Sequence, residues 1–199
     1  MFVKVCGLST PESVRAAVDA GADAVGFVLT ASPRVVSPSQ VNMLLADVPA
    51  GVAAVGVFRH EPVADAIAIA RAAGLEWIQL HADITPEDVT IVHGAGMKLI
   101  RAVTMAATAD AFANWGEELL LIDAAVPGSG EAWDYASMVD VTELQDRKWL
   151  LAGGLDPDTV AHASAASGAW GVDVSSGVEE SLGIKDPAKI RAFVAAAKA

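Results

Sequence analysis

One thiol and one carboxylate carry the clearest chemical signal in this chain of 199 residues. Cys6 is the only cysteine, and Lys4 stands two residues before it. In a strand that spacing puts both side chains on one face, where an ammonium favours the thiolate. A lone cysteine is otherwise most often a small buried apolar group. Asp123 closes the aliphatic run Leu119-Leu120-Leu121-Ile122. A carboxylate in that position is costly unless it is paired or used, although a turn hydrogen bond also accounts for it. Together the two groups suit general base and general acid work. Their ordinary pKa values, about 8.5 for a thiol and about 3.9 for Asp, oppose those roles at neutral pH. The pair therefore requires Cys6 to be shifted down and Asp123 up.

Other polar residues repeat the two-residue spacing. Gln79 and His81 share a face, opposite Ile78 and Leu80, and Asp173 and Ser175 share one opposite Val172 and Val174. Gly153-Gly154 alone reads as a tight turn, and Ser175-Ser176-Gly177 alone as a helix start. At the ends of successive strands they fit a phosphate cradle, in which backbone N–H groups meet the anion. Arg34 lies just beyond another apolar strand, in Ser32-Pro33-Arg34.

These groups need elements to position them. Strands are predicted at Val3–Cys6, Ala24–Val28, Ala53–Phe58, Trp77–His81, Leu99–Val103, Leu119–Asp123, Trp149–Gly153 and Gly171–Ser175. Most are aliphatic almost throughout, as strands buried on both faces are. Helix starts are marked by Thr10-Pro11, Ser37-Pro38, Thr85-Pro86, Asp156-Pro157 and Asp186-Pro187, an N-cap oxygen before a proline. Ser9 and Glu12 have capping-box spacing. Gly21, Gly74 and Gly168 mark helix ends. In the first helix Val14, Ala17 and Val18 form the apolar face, with Arg15 and Asp19 turned away. The sixth unit is the weakest: Val126 to Trp133 reads as a loop, and a helix is expected over about Asp134 to Leu144.

Strict alternation leaves an open doubly wound sheet or a closed barrel. Eight units, with no Gly-x-Gly-x-x-Gly after the first strand, favour a single (β/α)8 TIM barrel of the α/β class over residues 1–199. The first strand should then pair with the last. The aliphatic sets should face the helices, and the polar sets should point into the barrel and gather at its C-terminal end.

Composition narrows the function. Hydrophobic residues make up 53% and charged residues 19%, as in a folded domain rather than a disordered tail. Mean hydropathy is +0.43, yet no run approaches the roughly 20 apolar residues of a membrane span. No signal peptide is visible at the start. A net charge of −12 without a Lys/Arg cluster argues against nucleic acid. A lone thiol suits the cytoplasm and offers no multi-cysteine metal site.

Several blocks in combination resemble the phosphoribosylanthranilate isomerase family of tryptophan biosynthesis, over almost the whole chain. They are Lys4-Val5-Cys6-Gly7, Gly21-Ala22-Asp23-Ala24-Val25-Gly26-Phe27, Ser32-Pro33-Arg34 with Ser37-Pro38, Gln79-Leu80-His81, the run into Asp123, Gly128-Ser129-Gly130, Ala152-Gly153-Gly154-Leu155, and Gly171-Val172-Asp173-Val174-Ser175-Ser176-Gly177-Val178-Glu179. The chain departs from the family pattern at Arg59-His60, Ala82, Pro127 and Trp133-Asp134-Tyr135.

The resemblance implies a cofactor-free, metal-free Amadori rearrangement of N-(5-phosphoribosyl)anthranilate to 1-(2-carboxyphenylamino)-1-deoxyribulose 5-phosphate. It implies Asp123 as acid and Cys6 as base. It also implies Arg34 on the anthranilate carboxylate, Asp173 on the amino group, and Gln79 and His81 among the substrate-binding groups. The phosphate falls to Gly153, Gly154, Ser175, Ser176 and Gly177. Association with neighbouring pathway enzymes is compatible with it.

Other readings fit less. A Schiff-base aldolase wants a lysine at an active strand end, where Asp123 stands. A metal-dependent epimerase wants several histidines there, and only His81 qualifies, since His60 is looplike and His93 and His162 lie in helices. A non-catalytic binder of a phosphorylated metabolite explains the glycines and serines but not Cys6 with Asp123.

Overall fold

A computed structural model describes residues 1–81, 84–124 and 132–199. Eight parallel strands close into a barrel in sequence order. They are β1 (Phe2–Cys6), β2 (Ala24–Val28), β3 (Ala53–Phe58), β4 (Trp77–Leu80), β5 (Lys98–Thr104), β6 (Leu119–Asp123), β7 (Trp149–Leu151) and β8 (Gly171–Val174). The seam closes by pairing Phe2 with Gly171 and Val5 with Val174. Outside lie α1 (Pro11–Asp19), α2 (Pro38–Leu44), α3 (Val63–Ala72), α4 (Pro86–Gly94), α5 (Val160–Ser167) and α6 (Pro187–Lys198). The expected fold is therefore present. A hairpin that the sequence did not suggest follows β8: β9 (Glu179–Ser181) pairs antiparallel with β10 (Ile184–Lys185).

The alternating faces behave as expected. Val5, Val25, Phe27, Ile78, Leu80, Leu120, Ile122, Val172 and Val174 belong to the main apolar cluster with helix residues such as Val14, Val92 and Phe193. Each such side chain contributes about 1.5–3 kcal/mol on burial. Inside the barrel, Val55, Ile100, Leu119, Leu121 and Leu150 form a separate cluster. Nearer the mouth only Cys6, Val28 and Val57 group together, leaving the other inward positions there to polar side chains.

Local signals were right about most helix starts and wrong in detail at others. Thr10, Ser37, Thr85 and Asp186 cap α1, α2, α4 and α6 with their side-chain oxygens. The box at α1 is Thr10 with Ser13, not Ser9 with Glu12, because Pro11 sets the first turn one residue later. Asp156 accepts the N–H groups of Asp158 and Thr159, but the regular helix begins only at Val160. Strands β4, β7 and β8 stop short of the predicted His81, Gly153 and Ser175. Gly153 has φ +82°, and Ser175 has φ −129° with ψ −80°, so neither continues a strand.

The helix expected over Asp134 to Leu144 is replaced by short 3-10 turns at Tyr135–Met138 and Thr142–Leu144. Val139, Val141 and Thr142 are β-branched and poor helix formers. In addition, Trp133 Nε1 and Tyr135 Oη are drawn to the carbonyls of Ala152 and Gly153, each at 3.0 Å. Unit five has only a 3-10 turn at Ala109–Phe112.

Candidate active site

Closure of the barrel builds the mouth. Because Lys4 lies beside Asp173 across the β1–β8 seam, the Lys4 ammonium meets the Asp173 carboxylate at 2.8 Å inside the barrel, with Lys4 fully buried. Asp173 holds Lys4 charged against the cost of burial. Among the described residues the second oxygen of Asp173 accepts no hydrogen bond.

Cys6 sits one inward position nearer the mouth than Lys4. Its neighbour across β2 is Gly26. A methyl group on Gly26 would lie 2.9 Å from the Cys6 sulfur and 3.3 Å from the Lys4 amine, so glycine makes room for both. The expected downward shift of the thiol does not occur. Burial pushes the Cys6 pKa up and outweighs Lys4 and Lys185, while Asp173 adds to the rise. The physical reason is first the burial of the thiol, which disfavours its charged form; the nearby Asp173 carboxylate then offsets part of the help that Lys4 gives the thiolate.

Asp123 ends β6, on the far side of β8 and β7 from Cys6. Its Oδ1 accepts the Ala124 N–H at 2.8 Å. Burial raises its pKa to about 6, and Asp173 pushes the same way. This upward shift is the one the acid role demands. Asp123 lines a small cavity together with Gly153, Gly154, Asp173, Ser175 and Ser176.

The walls of that cavity are backbone-rich. Gly153 and Gly154 have φ of +82° and +68°, a conformation that exposes consecutive peptide groups and suits only glycine. A Cβ on Gly153 would lie 2.8 Å from the Asp123 carboxylate. A Cβ on Gly177 would lie 1.9 Å from the Leu155 carbonyl. The β7 and β8 loops therefore approach each other closely; Gly153, Gly154, Ser175 and Ser176 line the cavity, whereas Gly177 packs against Leu155 and is not among its lining residues.

Arg34 is brought to the same mouth by the β2 loop, but it does not stand alone. Its Nε and Nη2 bond to the two oxygens of Glu179 at 2.6 and 3.0 Å. Its aliphatic stem lies against Gly7, where a Cβ would come within 2.8 Å of Cδ. Lys185 donates to Ser175 O, Ser175 Oγ and Glu179 Oε1 at 2.8, 3.2 and 2.8 Å.

On the opposite rim, buried Gln79 hydrogen-bonds His81 through the imidazole Nε2. Burial, with Lys4 and Arg59, lowers the His81 pKa to about 3, so His81 is neutral and a poor base. His81 and Arg59 line a second, wider cleft with Thr104 and Trp115.

The structure thus gathers the predicted residues at one end of the barrel and adds Glu179, Lys185 and Arg59. Glu179 and Lys185 lie outside the eight-unit repeat, on a hairpin with no alternating pattern to announce it. Arg59 was visible as a departure, though without a role. Trp133 and Tyr135 pin the β7 end, as described above. Ala82, Pro127 and Gly128-Ser129-Gly130 lie outside the described residues.

A buried carboxyl, a thiol and a cavity lined by glycines and serines at the strand ends of a closed (β/α)8 barrel fit the class of barrel enzymes that act on phosphorylated small molecules. The model of the family described as "N-(5'phosphoribosyl)anthranilate (PRA) isomerase" matches residues 3–196. The chain belongs to that family. It is 43% identical to N-(5'-phosphoribosyl)anthranilate isomerase of Paracoccus denitrificans, covering 99% of this chain and 97% of that one. A crystal structure of phosphoribosyl anthranilate isomerase from Thermus thermophilus superposes with a TM-score of 0.90 at 33% identity, covering 98% of each chain. An isomerase solved in complex with reduced 1-(o-carboxyphenylamino)-1-deoxyribulose 5-phosphate gives 0.87 at 32% identity, over 100% of this chain and 98% of that one.

Proposed function

We propose that Asp123 is the general acid and Cys6 the general base of the isomerisation that this chain catalyses. The chain is a phosphoribosylanthranilate isomerase of tryptophan biosynthesis. It converts the aminoaldose N-(5-phosphoribosyl)anthranilate to the aminoketose 1-(2-carboxyphenylamino)-1-deoxyribulose 5-phosphate. Asp123 gives its proton to the ring oxygen as the furanose C1–O bond breaks, leaving an iminium between C1 and the anthranilate nitrogen. Cys6 takes the C2 proton. The electron pair of that C–H bond forms the C1–C2 double bond and neutralises the iminium. The resulting enolamine becomes the ketone when its hydroxyl loses a proton and C1 gains one. Every step is a proton transfer or a bond shift within the substrate, so side chains alone supply what it needs.

The observation that carries this reading is the Asp123 carboxyl, raised to about 6 and sharing a cavity with the glycine cradle. The high thiol pKa is offset once the substrate iminium forms, because a positive charge beside the sulfur favours the thiolate. Arg34 holds the anthranilate carboxylate and Asp173 the amine. Gly153, Gly154, Ser175, Ser176 and Gly177 hold the phosphate. Gln79 and His81 form the neutral polar edge of the sugar site. The reaction needs a reduced thiol, which supports the cytoplasm as its compartment, alongside the enzymes that make and consume these metabolites.

The test is direct. Purified protein supplied with phosphoribosylanthranilate should abolish its anthranilate-type fluorescence with turnover. Unchanged fluorescence, with the substrate intact, would refute the assignment.

A further inference from the structure

The hairpin after β8 is an addition to the barrel, and its buried charges point at both ends of the mouth. Its turn at Gly183 has φ +81°, and a Cβ there would lie 2.7 Å from the Pro33 carbonyl, so the hairpin presses on the β2 loop that carries Arg34. At its start, Glu179 takes Nε and Nη2 of Arg34 on its two oxygens. At its end, Lys185 takes the Ser175 carbonyl and hydroxyl and closes back on Glu179. The Gly183 N–H also donates to Glu179, and Lys189 of α6 donates to the Glu179 carbonyl at 2.7 Å. The side chains of Glu179 and Lys185 are 6% and 1% exposed.

We infer that Glu179 and Lys185 are positioning residues that hold the two substrate-binding ends of the mouth at a fixed separation, Glu179 by orienting Arg34 and Lys185 by fixing Ser175. The inference rests on the reading that Arg34 meets the substrate carboxylate and Ser175 the phosphate cradle. The geometry favours orientation over mere stability. A buried ion pair seldom repays its own desolvation, whereas a guanidinium held by two parallel bonds loses its rotational freedom before the ligand arrives. Among the described residues Nη1 of Arg34 has no partner, so one edge of the fork stays open. Lys185 spends its donors on Glu179 and Ser175, so it acts through Ser175 and not on the substrate.

Three variants of the full chain test this: Glu179→Gln, Lys185→Met and Arg34→Ala. Glu179→Gln should raise KM about tenfold while kcat stays within about threefold, because the lost interaction serves binding. Anthranilate, used alone as an inhibitor, should weaken by a similar factor, and inorganic phosphate should inhibit as before. Lys185→Met should show the opposite pattern, with weakened inhibition by phosphate. Since Glu179 acts through Arg34, the double variant Arg34→Ala/Glu179→Gln should have the KM of Arg34→Ala alone. Multiplied effects in the double variant, or equal weakening of both inhibitors by Glu179→Gln, would overturn the inference. An unchanged KM in Arg34→Ala would instead overturn the reading of the site beneath it. If Glu179→Gln does not fold, Glu179→Asp keeps the charge on a shorter arm. It should give an intermediate KM with the same split between inhibitors, and equal weakening of both again counts against the inference.

Discussion

In the barrel interior, Asp173 pairs with Lys4 at 2.8 Å, and nearby Asp123 accepts, among the described residues, the Ala124 N–H alone. In the wall beside β5, Glu117 is equally buried but saturated. Its oxygens accept from Arg101 at 2.7 and 3.0 Å, from Arg147, and from the Trp115 N–H at 2.9 Å. Arg101 also donates to the Ala111 and Ala113 carbonyls and lies 4.0 Å from the centre of the Trp115 ring. Burial pushes both carboxyls up. In Glu117 the two arginines overcome it and the net shift is downward, whereas in Asp123 burial wins and the pKa reaches about 6. The wall network occupies the place where units five and six have 3-10 turns instead of helices, and it serves the fold. At the mouth, burial leaves the Asp123 carboxyl with a raised pKa, which suits the acid role proposed for it.

If that contrast holds, the largest effect belongs to Asp123. Asp123→Asn should lower kcat by roughly a hundredfold to ten-thousandfold, since the amide cannot deliver the proton. It should also raise Tm at pH 8. A carboxyl whose folded pKa is above its unfolded value of 3.8 costs stability above about 6, and that cost fades towards the unfolded value. The gain should therefore be nearly gone at pH 4. Loss of stability at pH 8 would break the comparison.

Glu117→Gln should do the reverse. Two buried arginines lose their counter-charge, which costs about 3–5 kcal/mol in urea unfolding. Turnover by the folded fraction should stay within about threefold. A larger fall in kcat, with stability unchanged, would mean that the wall serves catalysis.

The mouth also predicts a pH profile. With Asp123 as acid and Cys6 as base, as proposed, the active form would have Asp123 protonated and Cys6 ionised, although the acid has the lower pKa. Between about pH 6 and the raised thiol value, each gain in thiolate is cancelled by a loss of acid. kcat/KM should be flat there and fall roughly tenfold per pH unit on either side. A steady decline through neutral pH would contradict the assignment of the two values. The smallest effect lies in the regular wall: Thr10→Ala removes the cap of α1 and should cost about 1 kcal/mol in urea unfolding without touching KM. A cost near zero would mean that Pro11 alone sets that helix start.

The barrel was legible because its signals are local. Aliphatic strands, Thr-Pro and Ser-Pro starts and glycine ends each report on a few neighbouring residues. The positions of Cys6 and Asp173 followed from alternation once the strands were in place, and those of Asp123 and Gly153-Gly154 from the strand ends. What escaped depended on distant partners. The rise of the Cys6 pKa follows mainly from burial inside the closed barrel, with Asp173 across the β1–β8 seam adding to it, and adjacency to Lys4 in sequence suggested the opposite. Glu179 and Lys185 act through a hairpin outside the repeat. The helix expected near Tyr135 was already weakened by β-branched residues in sequence, and it gave way to hydrogen bonds with Ala152 and Gly153, distant partners that the sequence did not announce.

The most direct test of the acid–base assignment is the steady-state rate of Cys6→Ser on phosphoribosylanthranilate. Serine keeps the shape but is far harder to ionise than even a raised thiol. The account predicts a kcat at least roughly a hundredfold below wild type with KM within a few fold, because the base acts in the transition state. A Cys6→Ser enzyme that turned over at the wild-type rate would make Cys6 a packing residue and contradict the account.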